Sequence, residues 1–507
     1  MMPLIRRFLF LMIGFGMAIA MSPVVSVSST SVSSTSVSST SVSSTERDAD
    51  IIASNEASNA ASDAASNAIA SNAASDAASN AIASNAASNA IASNAARDAI
   101  ANVDSRARIT EIEQTWKQQY EYYLGRRLST PSLTADEIAE TLDRLSSEIG
   151  KQLALIYVFP HPTALELVLV IPGIDPIRKT FPEIPEDRIT EAARELQSRV
   201  TSPAGGRGYL ASAQQLYRWI IAPLETDLRA HQVDALVFCM GGGLRSLPIA
   251  ALSDGQQFLT ENYSVGLIPA FNLIDTRYRG VRETQVLAMG ASEFPDMGEL
   301  PAVPLELRAI AEDIGSGEVF LNQEFTLSNL RQQLETGQFP IVHLATHAAF
   351  RSGTPDNSYI QFWQGDRLRL DEVRRLNWSE LPVELLVLSA CQTALGDRQA
   401  ELGFAGLTFH SGVKSSLASL WRVSDLGTLA LMREFYWQLS QPDITTKSEA
   451  LRRAQLSLMS GQVRVRDAQL EGPSGTLPLS EELAKSAPLD FSDPYYWASF
   501  TLVGSPW

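Results

Sequence analysis

Ile341-Val342-His343-Leu344-Ala345-Thr346-His347 and Leu385-Leu386-Val387-Leu388-Ser389-Ala390-Cys391 decide how this chain of 507 residues is read. Each is an apolar run of strand length that ends on a reactive side chain and passes at once into small or polar residues. In an open parallel sheet, chemistry gathers where strands deliver their carboxyl ends. A histidine at one such end and a thiol at another are what a cysteine nucleophile needs: a base, and a sulfur that can be deprotonated. The chain has two cysteines and five histidines, so few other thiol–imidazole pairs exist.

Around these runs, helical and buried-strand patterns alternate. A helix over 209–230 leads to a strand over 235–240, and a strand over 284–290 to the helix of Leu305 to Ile314. A helix over 326–336 precedes strand 341–347. Strand 383–389 precedes the helix of Leu402 to Phe409, then strand 415–423 and helix 425–439. The alternation predicts an α/β fold around a mostly parallel sheet. Tyr359 to Leu370, turning at Gly365-Asp366, predicts an accessory hairpin. His343 shares a strand face with His347, four residues on, because strands alternate with period two. It sits deeper in the sheet and reads as a core histidine.

Ahead of this region lies a small α+β lead-in over 106–203, joined to 204–507 through Gly205-Gly206-Arg207-Gly208. Ile109, Ile112, Trp116, Tyr120 and Tyr123 are spaced as one helix face. Thr134-Ala135-Asp136-Glu137 is a capping box that opens a second helix, with Gly150 as its stop. Leu153 to Phe159 and Leu165 to Ile171 form a hairpin, with His161 solvated in its turn.

The first hundred residues are of another kind. Arg6 and Arg7 precede an apolar or glycine stretch from Phe8 to Met21, with small residues at Ala18 and Ala20. The stretch is shorter than the ~20 residues that span a bilayer. Residues 1–20 are therefore expected to be a secretory signal, making the protein exported, periplasmic or extracellular, with no stable span after cleavage. An uncleaved membrane anchor extended through Val24 and Val25 is the alternative. Residues 21–105 are low-complexity: Ser-Val-Ser-Ser-Thr repeats, then an Ala/Ser/Asn array in which Asn59 to Ser71 recurs unchanged as Asn72 to Ser84. With no large apolar side chains in the first tract and a drifting pattern in the second, this is a spacer without chemistry.

Formal net charge is −17, and −19 once Arg6 and Arg7 are lost (38 basic against 57 acidic). That balance argues against nucleic acid, whose phosphates need clustered Lys and Arg. Cys239 lies within Ala235-Leu236-Val237-Phe238-Cys239-Met240 and reads as a core thiol. Met240-Gly241-Gly242-Gly243 lacks the lysine–hydroxyl ending of a phosphate loop and reads as a turn. No zinc-ligand spacing is present. No metal or cofactor is expected.

Five motifs occur in order: Gly243-Leu244-Arg245-Ser246-Leu247-Pro248-Ile249-Ala250-Ala251-Leu252, His343-Leu344-Ala345-Thr346-His347, Leu388-Ser389-Ala390-Cys391-Gln392-Thr393, Ala418-Ser419-Leu420-Trp421 and Asp493-Pro494-Tyr495-Tyr496-Trp497-Ala498-Ser499-Phe500. Together they resemble the CHAT domain, a bacterial caspase-like cysteine-peptidase family related to caspases and separases, from about Tyr209 to Trp507. The resemblance implies a caspase-like three-layer sandwich and a cysteine endopeptidase. It implies a His347–Cys391 dyad, with an oxyanion site made by the main-chain N–H groups of Ala348 and Cys391. The family usually has glycine at Ala348 and at Ala394; a Cβ at Ala348 crowds the approach and restricts φ. A catalytically impaired member serving as a protein-binding module is therefore the alternative function. The implied partners are a protein or peptide substrate and an activating protein. Asp356 and Asp425 are candidate ligands for a basic substrate side chain, with Trp421 beside them. Arg422 would suit an acidic side chain instead.

Overall fold

β1 (Leu153–His161) sends Leu153, Leu155 and Tyr157 into one apolar cluster and Ala154, Ile156 and Val158 into another. Successive strand residues point to opposite faces, so this division fixes three layers. The first cluster is closed by α1 (104–124) and α2 (Ala135–Ile149), through Ile109, Ile112, Trp116 and Tyr120 and through Ile138, Leu142, Leu145 and Ile149. The expected capping box is present: Thr134 Oγ1 accepts from Glu137 N, Glu137 Oε2 accepts from Thr134 N, and Gly150 at φ 68° ends the helix. The opposite cluster is closed by α3 (Glu186–Val200), α4 (Leu210–Ile220) and α5 (Glu225–Ala230).

The computed structural model describes residues 104–280, 285–314, 317–376, 378, 381, 383–393, 398–488 and 490–507. The signal expected at 1–20 and the spacer at 21–105, save Asp104 and Ser105, lie outside the described residues. Among the described residues no helix is long and apolar enough to cross a membrane.

β2 (Ala164–Val170) and β3 (Ile177–Phe181) follow β1 as an antiparallel meander at one edge of the sheet. His161 closes the β1–β2 turn; it is held 3.0 Å from Glu166 Oε2 and 2.8 Å from Arg108 Nη2 rather than lying free in solvent. On the other side of β1, β4 (Ala235–Met240) and β5 (Ser264–Ile268) run parallel to it, with α6 (Leu259–Asn262) between them in the chain. The lead-in hairpin and the next region therefore share one sheet.

The rest of the sheet is built from β6 (Val286–Gly290), β7 (Gly317–Leu321), β8 (Ile341–Phe350), β9 (Tyr359–Gln361), β10 (Arg367–Arg369), β11 (Leu385–Thr393) and β12 (Ser415–Ser419). The helices of this half are α7 (Val303–Ile314), α8 (Leu327–Thr336), α9 (Arg398–Ala405), α10 (Leu407–Ser411), α11 (Asp425–Ser440) and α12 (Lys447–Met459). β13 (Arg464–Arg466), β14 (Gln469–Gly472) and β15 (Gly475–Pro478) form a separate small sheet, and β16 (Phe500–Gly504) returns to the large one. β6, β7, β8, β11 and β12 are mutually parallel, and so are β1, β4, β5 and β16. The two sets run in opposite directions and meet where β12 pairs antiparallel with β16. The fold is thus the expected α/β class, with parallel strands in two opposed halves.

Three expected elements differ in extent. The helix expected over 209–230 is divided into α4 and α5 around Pro223, which has no N–H to donate. The helix expected from Leu402 to Phe409 is divided at Gly406. A Cβ there would fall 2.9 Å from the Tyr120 ring of α1. The strand expected to reach residue 423 stops at Ser419, where its pairing with β16 ends. Cys239 is a fully buried free thiol whose pKa burial pushes well up. β5, β16 and β12 separate its strand from β11.

Candidate functional site

β8 changes neighbours partway along its length. Ile341 to Ala345 pair with β6, whereas Ala348 and Ala349 pair with β9. Thr346 and His347 occupy the fork. On the other side, β11 pairs Ser389 with Ala345 and Cys391 with Ala348, so β8 holds one residue more than β11 across the same span. Such an extra residue re-aims the side chains beside it and often marks a functional position. Thr346 Oγ1 anchors the fork by donating to the Gln361 carbonyl at 2.6 Å. The register sets the backbone of Cys391 beside Ala348, the residue after His347, on adjacent parallel strands at one rim. The side chain of Cys391 lies outside what the structure describes.

His347 Nε2 lies 2.7 Å from the Gly298 carbonyl. A carbonyl only accepts, so Nε2 carries the proton and a neutral ring presents Nδ1 as its acceptor. The ring packs against Phe294, centroid to centroid at 4.7 Å. Burial lowers the His347 pKa below its usual 6.5, the Gly298 bond opposes that, and the charge of Arg422 lowers it further. A neutral imidazole at neutral pH is the form a general base requires.

A cleft of about 340 Å³ opens beside this histidine, lined in part by Asp296, Gly298, Ala348, Arg351 and Arg422. Arg422 packs against Gly298, on the segment whose carbonyl holds His347: a Cβ built there would lie 3.1 Å from Arg422 Nη2. Arg351 lies over the Tyr359 ring at 5.1 Å and donates to its hydroxyl at 3.3 Å. Ala348 is 5% exposed and does not adopt positive φ, so its backbone does not call on the freedom of a glycine.

The other expected site residues stand apart from this cleft. Asp356 lies in an exposed turn after β8, where a hydrogen bond from Thr354 holds its carboxyl below the usual range. Asp425 begins α11 and accepts from Ala302 N at 2.5 Å, tying α11 to the start of α7. Burial pushes its pKa up to about 7. Trp421 is buried, and its indole N–H donates to the Tyr495 carbonyl at 3.2 Å. Among the described residues no group of three or more His, Cys, Asp or Glu is arranged to hold a metal ion.

The loop between β6 and α7, which supplies Phe294, Asp296 and Gly298, is absent from the sequence-based set. Its signal was available: strand 284–290 is a third carboxyl end running into a Pro/Gly-containing loop, and such loops border sites in parallel sheets.

Behind the rim, His343 is fully buried, with Nδ1 3.1 Å from Tyr436 Oη and Nε2 3.0 Å from Glu306 Oε1. Ser389 Oγ donates to the same carboxyl oxygen at 2.7 Å. One carboxyl of α7 thereby holds β11 and lies against β8 a few residues before Cys391 and His347.

Residues 210–505 match the CHAT domain family. No curated protein matches the chain. Among solved structures, separase in the separase–securin complex of Saccharomyces cerevisiae is 10% identical, with a TM-score of 0.43 over 74% of this chain and 32% of that chain. The present chain thus spans about a third of that separase. Gingipain R (RGPB), described as an Arg specific cysteine proteinase, is 11% identical, with a TM-score of 0.36 over 63% of this chain and 73% of that chain. The complex of RgpB pro- and mature domains from Porphyromonas gingivalis gives 10% identity and a TM-score of 0.36 over 63% and 76%.

Proposed function

The chain belongs to the CHAT domain family, and from that premise we propose that it is a cysteine endopeptidase acting through Cys391 and His347. The observation that carries the proposal is the pairing of Cys391 with Ala348, which puts a cysteine next to the residue following a histidine whose Nε2 is already engaged. His347 Nδ1 takes the thiol proton, and the thiolate attacks the peptide carbonyl carbon. The main-chain N–H groups of Ala348 and Cys391 receive the oxyanion. The C–N bond then breaks, the imidazolium proton leaves with the amine, and water releases the acyl group from sulfur.

The cleft lining supports an acidic substrate side chain in place of the basic one expected from Asp356 and Asp425. Neither aspartate faces the cleft, whereas Arg351 and Arg422 do, against the single carboxylate of Asp296. Planar guanidinium groups pair carboxylates through two hydrogen bonds at once. Export through residues 1–20 belongs to the same proposal, and the amino terminus of secreted protein tests it.

The test is labelling by thiol-reactive peptide probes with an acidic or a basic residue at the reactive end. Wild type takes up the acidic probe, while Cys391→Ala and His347→Ala lose labelling. Cys239, buried with a raised pKa, contributes no background. Equal labelling of wild type and Cys391→Ala rules out the peptidase and favours the binding-module alternative. Stronger labelling by the basic probe rejects the acidic preference alone.

A further inference from the structure

The loop between β6 and α7 meets His347 twice, through the Gly298 carbonyl, 2.7 Å from Nε2, and through the Phe294 ring, 4.7 Å between centroids. Most of its residues from Glu293 to Glu299 are exposed and belong to no helix or strand. Nothing regular in its own backbone therefore fixes where that carbonyl points. One hydrogen bond closes it: Leu300 N donates to the Ser292 carbonyl at 2.9 Å, so the loop leaves and returns at Ser292. Its far end is tied down where Ala302 N donates to Asp425.

Ser292 is in turn held from outside. Asn322, the first residue after β7, accepts from Ser292 N through Oδ1 at 2.8 Å, and its Nδ2 donates to Ser292 Oγ at 3.1 Å. β6 lies between β7 and β8, pairing Gly290 with Leu321 on one side and with Ala345 on the other. Asn322 thus reaches the loop from the strand across β6 from His347. Its backbone adopts φ 51°, a left-handed conformation that side chains other than Asn and Asp disfavour. Glycine would take that conformation more readily, so the backbone alone does not call for asparagine. The amide is what engages Ser292.

We propose that Asn322 is a positioning residue for the general base. By fixing Ser292 it fixes the loop whose Gly298 carbonyl orients the His347 ring, leaving Nδ1 as the free acceptor. The inference deepens the peptidase reading and rests on it, because it gives His347 the task of taking the Cys391 proton. Asn322 has no place in the cleft lining, so its effect passes through the loop. Proton transfer demands a base within hydrogen-bond reach and correctly aimed, and a ring released from Gly298 loses that aim.

The test compares Asn322→Gly with Asn322→Asp in the full chain. Glycine keeps the positive φ and removes the amide, while aspartate keeps an acceptor for Ser292 N. In nitrogen NMR of isotope-labelled histidine, wild type at neutral pH shows His347, assigned by its absence in His347→Ala, as a single Nε2–H tautomer. Asn322→Gly shows the mixture of Nε2–H and Nδ1–H forms of an unheld imidazole, and Asn322→Asp restores the single form. On a peptide with an acidic residue before the scissile bond, Asn322→Gly loses about 10–100-fold in kcat with KM little changed, the size of effect a misplaced group produces. Asn322→Asp recovers most of that loss. A single Nε2–H tautomer in Asn322→Gly, or equal losses of kcat in the glycine and aspartate variants, overturns the proposal. The tautomer is read without turnover, so an inactive wild type with the tautomer response intact refutes the peptidase reading alone.

Discussion

Replacing Glu306 by leucine should destabilise the sheet half that carries His347 and Cys391. Glu306, His343 and Ser389 are each 1% exposed or less. The substitution strips the acceptor from Ser389 Oγ, at 2.7 Å, whereas His343 Nε2, 3.0 Å from the same oxygen, makes no hydrogen bond with it. A buried polar group left alone costs about 1–3 kcal/mol, so the loss of the Ser389 acceptor gives about 1–3 kcal/mol, less whatever the leucine gains by packing. Glu306→Gln keeps an acceptor and should cost well under half as much. The sharper measurement is a cycle with Ser389→Ala in urea unfolding, read at a common slope. Ser389→Ala should be costly in wild type and nearly neutral in Glu306→Leu, because the hydroxyl then has nothing to lose. Equal costs in both backgrounds would falsify the clamp, whatever the size of the single effects.

Other consequences concern the rim itself. Arg422→Ala should reduce cleavage after acidic residues. It should also move the acid limb of the pH profile upward, since the His347 pKa, held below 6.5 first by burial and then by this charge, rises when the charge goes. An unmoved limb would separate Arg422 from the base. Asp425 has a folded pKa of about 7 against an ordinary 3.8, so its stabilising effect is complete below 3.8 and is lost as pH rises through 7. Asp425→Asn, which still accepts from Ala302, should flatten urea stability over that window and exceed wild type above it; a lower stability there would contradict the assignment. Ala348→Gly should lower stability by about 0.5–1 kcal/mol, as glycine does within strands, without raising turnover. A turnover gain of about 100-fold or more, the size of an oxyanion donor regained, would show that the Ala348 methyl obstructs the site.

The strands bearing the two reactive residues were legible because Ile341 to Thr346 and Leu385 to Ser389 are buried on both faces and read as apolar runs. Helix faces such as Ile109 to Tyr123 and the Thr134 cap were legible because they are local. β7 and β3 were not, since Gly317-Glu318-Val319-Phe320-Leu321 and Ile177-Arg178-Lys179-Thr180-Phe181 lie at edges and carry mixed side chains. The site was readable only where a strand end is its own signal. Gly298 contributes through a carbonyl, which has no side-chain signature, and Arg351 becomes a lining residue only because β8 crosses from β6 to β9. Asp356 and Asp425 stood near the reactive residues in sequence, but a turn and a helix start took their carboxyls elsewhere.

The junction of β12 with β16 sets the order in which this molecule can be completed. β16 follows every other described strand, yet among the described residues the strand pairing from one half of the large sheet to the other passes through it. Until Phe500 to Gly504 are laid down, a nascent polypeptide holds two unjoined blankets of strands, each with a raw edge. Chains stopped before Phe500 should expose β12 and β5 and pair with one another, so that hydrogen exchange at Ser415 to Ser419 becomes fast in monomers. Slow exchange there in a monomeric truncation would show that the two blankets seal without their last stitch.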